Sequence, residues 1–173
     1  MINPDIEQRA QDLLAYYNAS TIPVLVEAIA RAAGIQVVRS PAAGQESGFL
    51  MRDGQRVLIG LNSNDSPRRQ RFTIAHELGH FTLHEGRPLI VDHTVRFNKR
   101  DDVSSAATHP EEIQANAFAA ALLMPEPSVY SAVRRHVNSG VATQMHLTEL
   151  LADEFDVSEQ AMTWRLVNLG IYS

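Results

Sequence analysis

The sequence predicts an α+β fold, mostly helical with a small mixed or antiparallel sheet, and three observations carry that prediction. Apolar residues recur at helical spacing over long stretches, notably 72–81 and 113–123. Short β-branched runs lie between 35 and 61, two of them flanking Asp53-Gly54, a two-residue hairpin signal. The pentapeptide His76-Glu77-Leu78-Gly79-His80 then places two imidazoles at i and i+4, about 40° apart around a helix axis and so on one face.

Taken in order, residues 4–18 and 23–33 read as helices, and Gly34 supplies the left-handed residue that ends the second before the strand Ile35-Gln36-Val37-Val38. Residues 41–44 read as a loop. Strands at 48–52 and 55–61 form the hairpin, and the small sheet they build lies beside the helix that follows. If one of its strands is an edge near the histidines, an extended peptide can add to it. Ser66 is a helix N-cap and Pro67 takes the first helical position, so the histidines fall mid-helix. Arg68, Arg69 and Arg71 read as its solvated start. Residues 87–108 alternate poorly and turn polar after 98, which makes them a candidate rim for a cleft. Alanine and leucine content gives a further helix between Pro110 and Pro125. Residues 147–155, a turn at 156–158 and residues 159–169 have the outline of a helix-turn-helix, with Ala152, Val157 and Leu166 at packing positions.

The pentapeptide is the HExxH arrangement of a zinc hydrolase. Zinc on three protein ligands keeps a position for water and lowers its pKa to roughly 7, and a glutamate that does not bind the metal can take the proton. His76 and His80 are thus candidate ligands and Glu77 the candidate catalytic residue. Gly79 costs about 1 kcal/mol relative to alanine inside a helix, which calls for a reason such as close approach of another backbone beside the metal. An ordinary amphipathic helix with half-buried histidines is the competing reading; it explains neither Gly79 nor Glu77.

A third ligand is needed, and Leu83 and Gly86 stand where the metzincin pattern HExxHxxGxxH requires glycine and histidine. It must come from elsewhere. Other zincins take a glutamate from a later helix, which points to Glu111 or Glu112. Thr108 and Glu111 fit a capping box, which occupies Glu111 and leaves Glu112, with Asn116 at i+4 as a partner that orients a ligand histidine. Ile113, Ala117 and Phe118 are expected to face the core. Both glutamates also suit a helix N-terminus without any metal. His84 continues the 76, 80 stripe, but three ligands on successive turns would spread over about 12 Å, so it reads as a supporting or packing histidine. His93, His109, Asp92, Asp101 and Asp102 stay open as ligands. His136 and His146 read as surface or satisfied core residues. For a donor to a transition-state oxyanion, His93, Arg96 and Tyr130 are candidates among which the sequence does not choose.

The run Arg71 through His80, then Leu83-His84, then Glu112, Ala115-Asn116, Phe118-Ala119 and Leu122-Leu123-Met124-Pro125, resembles the ImmA/IrrE family of zinc metallopeptidases. Weaker likeness extends over Ile22-Pro23-Val24, Gly34-Ile35, Val157-Ser158, Trp164-Arg165-Leu166 and Leu169-Gly170. The resemblance implies a compact zincin-like core, Zn²⁺ on His76, His80 and Glu112, and Glu77 as catalytic acid/base. It also implies a bacterial or mobile-element peptidase that cuts a helix-turn-helix repressor or antitoxin. One departure is Gln114, where family members often carry a second acidic residue.

Composition fits these expectations. At 173 residues and 45% hydrophobic content the chain is read as one domain, 1–173, with 145–173 as a C-terminal helical subregion. It has no cysteine, so histidine and carboxylate must do any metal binding. The opening residues lack the features of a signal peptide and the apolar runs fall short of a membrane span, so a cytoplasmic setting without membrane contact is expected. A net charge of -5, and Glu149, Asp153, Glu154, Asp156 and Glu159 around the helix-turn-helix outline, argue against direct nucleic-acid contact. Two alternatives remain beside the peptidase: a zinc-stabilised module that sequesters such a partner without cutting it, and a helix-turn-helix DNA-binding regulator.

Overall fold

The computed structural model describes residues 3–41, 46–84, 89–93 and 110–172. The chain opens with α1 (Pro4–Tyr16), capped by the Asn3 side chain, which accepts from the Asp5 amide. The next helix, α2 (Val26–Ala32), is shorter than the expected 23–33, because Pro23 lies in a bend and the Val24 carbonyl accepts from the Val26 amide in a tight turn, with Val24 itself fully buried. Gly34 follows at φ +78°, the left-handed residue expected there.

Three strands come next: β1 (Ile35–Ser40), β2 (Glu46–Asp53) and β3 (Arg56–Asn62). The hairpin between β2 and β3 turns on Gly54 and Gln55, one residue later than expected, with Asp53 paired to Arg56. Gly54 at φ +58° takes the first central position, where a tight hairpin turn favours glycine. With β4 (Leu89–His93) they form a four-stranded sheet in the order β1-β3-β2-β4. β1 runs parallel to β3 and the other pairs are antiparallel, so the sheet is mixed, as expected.

One face of the sheet lies on α3 (Pro67–Leu83), whose start is set by Ser66 accepting from the Arg69 amide and by Pro67 in the first turn. Leu50, Ile59 and Leu61 of the sheet meet Ile74 and Leu78 of α3 in the core, and α4 (Pro110–Leu123) packs on the other side of that helix through Phe118, Ala119 and Leu122. Burial of each such large side chain is worth about 1.5–3 kcal/mol. Ile113 departs from expectation: it is 56% exposed, because α4 buries the side that carries Ala115, Phe118 and Leu122 and leaves Ile113 at its surface. Thr108, and with it the expected capping box, lies outside the described residues, as do Arg96, Asp101, Asp102 and His109.

The remaining helices are α5 (Glu126–Asn138), α6 (Gln144–Phe155) and α7 (Glu159–Asn168). The α6–α7 turn has the helix-turn-helix outline, with Asp156 itself left-handed at φ +52°. Its contacts are internal. Arg68 pairs with Asp153 at 2.7 Å and Asp156 at 3.2 Å, and Arg71 pairs with Asp156 at 3.0 Å. Arg71 also donates to the carbonyls of Val24, Asp156 and Phe155, while Arg69 donates to the buried Ser47 of β2. These arginines are therefore not the solvated start of a helix. They bind α3 to the turn, to Val24 and to the sheet. At the other end of α7 a buried ion pair joins Arg165 to Glu7 of α1, and Arg165 donates to the Met124 carbonyl at 2.9 Å. No helix among the described residues is long and apolar enough to cross a membrane.

Candidate metal centre

Helices α3 and α4 cross closely because Gly79 has no side chain. A Cβ there would stand 3.1 Å from both the Cα and the carbonyl oxygen of Ala115 and 3.3 Å from the Phe118 Cβ. That close approach is what a glycine inside α3 predicts. It brings the first turn of α4 over the face of α3 that carries His76 and His80.

Glu112 reaches both rings. Its Oε2 lies 3.2 Å from His76 Nε2 and its Oε1 lies 3.3 Å from His80 Nε2, while the two Nε2 atoms are 3.0 Å apart. Among the described residues these three form a group able to hold a metal ion, with all ligand atoms within 4.8 Å of one another. Both histidines are essentially buried and Glu112 is partly so.

The far nitrogen of each ring has its own partner. His76 Nδ1 lies 3.0 Å from Asn116 Oδ1, and a carboxamide oxygen only accepts, so the proton sits on Nδ1 and Nε2 presents a lone pair. His80 Nδ1 lies 3.0 Å from His84 Nδ1. The sequence thus placed Asn116 and His84 beside the candidate ligands, where the structure finds them. It missed Gln114, whose Oε1 lies 2.9 Å from His84 Nε2. It also missed Arg52, which donates at 3.2 Å to the carbonyls of both His80 and His84 at the end of α3.

Protonation favours metal binding. Burial holds the His80 imidazole below its ordinary value and outweighs the pull of Glu112 in the other direction, so the ring is neutral. Burial raises Glu112, but hydrogen bonds from His76 and His80, which act when their Nε2 atoms carry a proton, more than offset it and hold the carboxylate below the usual range. Two imidazole nitrogens and a carboxylate are a donor set for a divalent transition metal. The spacing fits as well: tetrahedral ligands about 2.0–2.1 Å from zinc stand roughly 3.3 Å from one another.

Glu77, one residue after His76, is fully buried, between α3 and β2. Gly48 of β2 lies over it: a Cβ at that position would be 3.7 Å from Glu77 Oε1, 2.7 Å from the Gly60 carbonyl oxygen and in collision with Thr73 Cγ2. Only glycine lets the sheet come this near. Of the oxyanion candidates, Tyr130 is excluded by its own hydrogen bond, since its hydroxyl donates to the Leu169 carbonyl at 2.9 Å, on α5 against the end of α7. Asp92 and His93 belong to β4, where the backbone alone is described. His136 pairs with Glu154 at 3.0 Å and His146 with Glu149 at 3.4 Å, the satisfied surface roles expected of them.

Similarity to known proteins follows the same residues. The IrrE N-terminal-like domain model of the peptidase M78 family matches residues 30–167. The radiation response metalloprotease IrrE of Deinococcus radiodurans is 33% identical over 110 residues, which are 63% of this chain and 31% of that protein. The metallopeptidase ImmA of Bacillus subtilis is 27% identical over 132 residues, 75% of this chain and 68% of that protein. The chain therefore spans about a third of the first relative and about two thirds of the second. The matched region contains His76, Glu77, His80 and Glu112 and covers most of the chain, which belongs to the IrrE N-terminal-like domain family of metallopeptidases.

Proposed function

We propose that this chain is a zinc-dependent endopeptidase, with His76, His80 and Glu112 as metal ligands and Glu77 as the general base. The observation that carries the reading is the convergence of two imidazole lone pairs and one ionised carboxylate within 4.8 Å, beside a buried glutamate that is not part of the set. Zinc held there would supply Lewis acidity at a peptide carbonyl and acidify a water molecule. Glu77 would take the proton of that water and pass it to the leaving amine. Asn116 and His84 orient the two ligand rings. Among the described residues β4 is the edge strand next to β2, whose Gly48 covers Glu77, so an extended substrate segment pairing with that edge would run past the site.

The substrate we infer is one protein, a helix-turn-helix repressor or antitoxin, met in the cytoplasm. That inference rests on family membership and on the resemblance of the motif blocks. Residues 1–173 act as one domain in this reading, and the C-terminal helices are a buttress: Arg68 and Arg71 hold the α6–α7 turn, and Glu7 holds α7.

The test is Glu77→Gln. This variant retains zinc and loses cleavage of a co-encoded helix-turn-helix protein by several orders of magnitude. If the wild type with zinc leaves that partner intact, the repressor reading fails for that pair. A partner bound but uncut by both proteins would favour sequestration instead.

A further inference from the structure

Gln114 lies two residues from Glu112 on α4, exposed, and its carboxamide oxygen is 2.9 Å from His84 Nε2. A carbonyl oxygen has no proton to give, so His84 donates from Nε2. A neutral imidazole has one N–H, which leaves His84 Nδ1 as an acceptor. His80 Nδ1, 3.0 Å away, must then donate to it, and His80 Nε2 faces Glu112 and His76 with a lone pair. Run in the opposite sense, the same chain would place a proton on His80 Nε2, the atom 3.0 Å from His76 Nε2. That proton would stand where the cation belongs.

His84 is itself well placed for the task. It is the residue at which α3 ends, and its ring centroid lies 5.1 Å from that of His80, one turn along the helix, so it meets His80 Nδ1 from the side away from Glu112. Arg52 holds this end of α3 by donating to the carbonyls of His80 and His84, with its guanidinium 5.7 Å from the Phe81 ring.

We propose that Gln114 is a positioning residue of the metal centre, which acts through His84 to set the tautomer in which His80 can bind a metal. The proposal rests on the metal reading of the site and adds to it a residue that touches no ligand directly. The two ligand histidines are then oriented by the same chemistry, a carboxamide oxygen on α4, one of them directly through Asn116 and the other across a histidine.

The experiment compares wild type, Gln114→Met and Gln114→Glu. Zinc affinity is measured by competition with a chelator, and imidazole tautomers by long-range ¹H–¹⁵N correlation spectra of the zinc-loaded proteins. Gln114→Met should bind zinc about tenfold or more weakly, the usual scale for partners of metal-bound histidines. Gln114→Glu restores an acceptor and should recover affinity. His84 should show the Nε2–H form in wild type and in Gln114→Glu. Equal affinity in Gln114→Met, a loss that Gln114→Glu fails to restore, or an Nδ1–H His84 in the wild type overturns the proposal while leaving the metal site standing. A wild type that binds no zinc overturns both.

Discussion

His76 and His80 bring their Nε2 atoms to 3.0 Å, and each ring has a partner at Nδ1, Asn116 for His76 and His84 for His80. With both Nδ1 atoms protonated, the facing Nε2 lone pairs would repel each other, and a divalent cation held between them and the Glu112 carboxylate would relieve that repulsion.

Metal removal should be visible in thermal unfolding. With zinc at a hundred times its dissociation constant, linkage adds about 2.7 kcal/mol. For a chain of this size that corresponds to roughly 5–10 °C in Tm. Differential scanning calorimetry of loaded and chelator-stripped protein checks this, with recovery on adding zinc. An unchanged Tm would mean that no metal is held by the folded state.

The metal-free protein should lose stability as pH falls. Burial depresses the folded-state pKa of His80 below its ordinary value of 6.5, so the unfolded chain takes up that proton first and stability declines once pH drops through that value. Glu112 is depressed too: burial alone would raise it, and the two imidazoles reverse the sign. Its contribution is complete above its ordinary value of 4.5 and is lost at lower pH. Urea midpoints measured from pH 8 to pH 4 should fall monotonically. A rise anywhere in that window would contradict the assignment.

Two glycine replacements should damage the centre by geometry alone. Gly79→Ala gains about 1 kcal/mol of helix propensity but meets the Ala115 backbone at 3.1 Å, so α4 must retreat and carry Glu112 with it. A net loss of about 1–3 kcal/mol and weaker zinc binding are expected. Gly48→Ala meets Thr73 and the Gly60 carbonyl, and should lift β2 from α3 beside Glu77. Urea midpoints and zinc titration separate the two effects. A Gly79→Ala protein more stable than wild type would show that the helices can part without cost.

The buried pair of Glu7 and Arg165 predicts a strong asymmetry. Glu7→Ala leaves the Arg165 charge buried without its carboxylate partner and should cost about 3–5 kcal/mol, whereas replacing both by apolar residues of similar volume should cost much less. Chemical denaturation of the single and double variants decides it.

Local signals were readable in the sequence. Ser66 and Pro67 start α3, Gly34 ends the α2 turn, Asp53-Gly54 marks a hairpin to within one residue, and Gly79 announces a close helix crossing. Partners far apart in the chain were not. Arg68 and Arg71 look like any solvated helix start until Asp153 and Asp156 arrive from 85 positions later. Ile113 sits on an apolar helix with a hydrophobic stripe too diffuse to say which side is buried, and the contact with α3 decides it. Gln114 was visible only as a departure from an acidic pattern, since its role depends on where the end of α3 throws His84.

Three side chains at the centre, Glu112, Gln114 and Asn116, ride on the single rigid body α4. A slide of that helix by even a fraction of its 5.4 Å pitch would withdraw the carboxylate and release both histidine rings in one movement. The ligand and its two supporting carboxamides therefore share one mechanical coordinate, and a partner that pushes on α4 would alter metal binding as a unit.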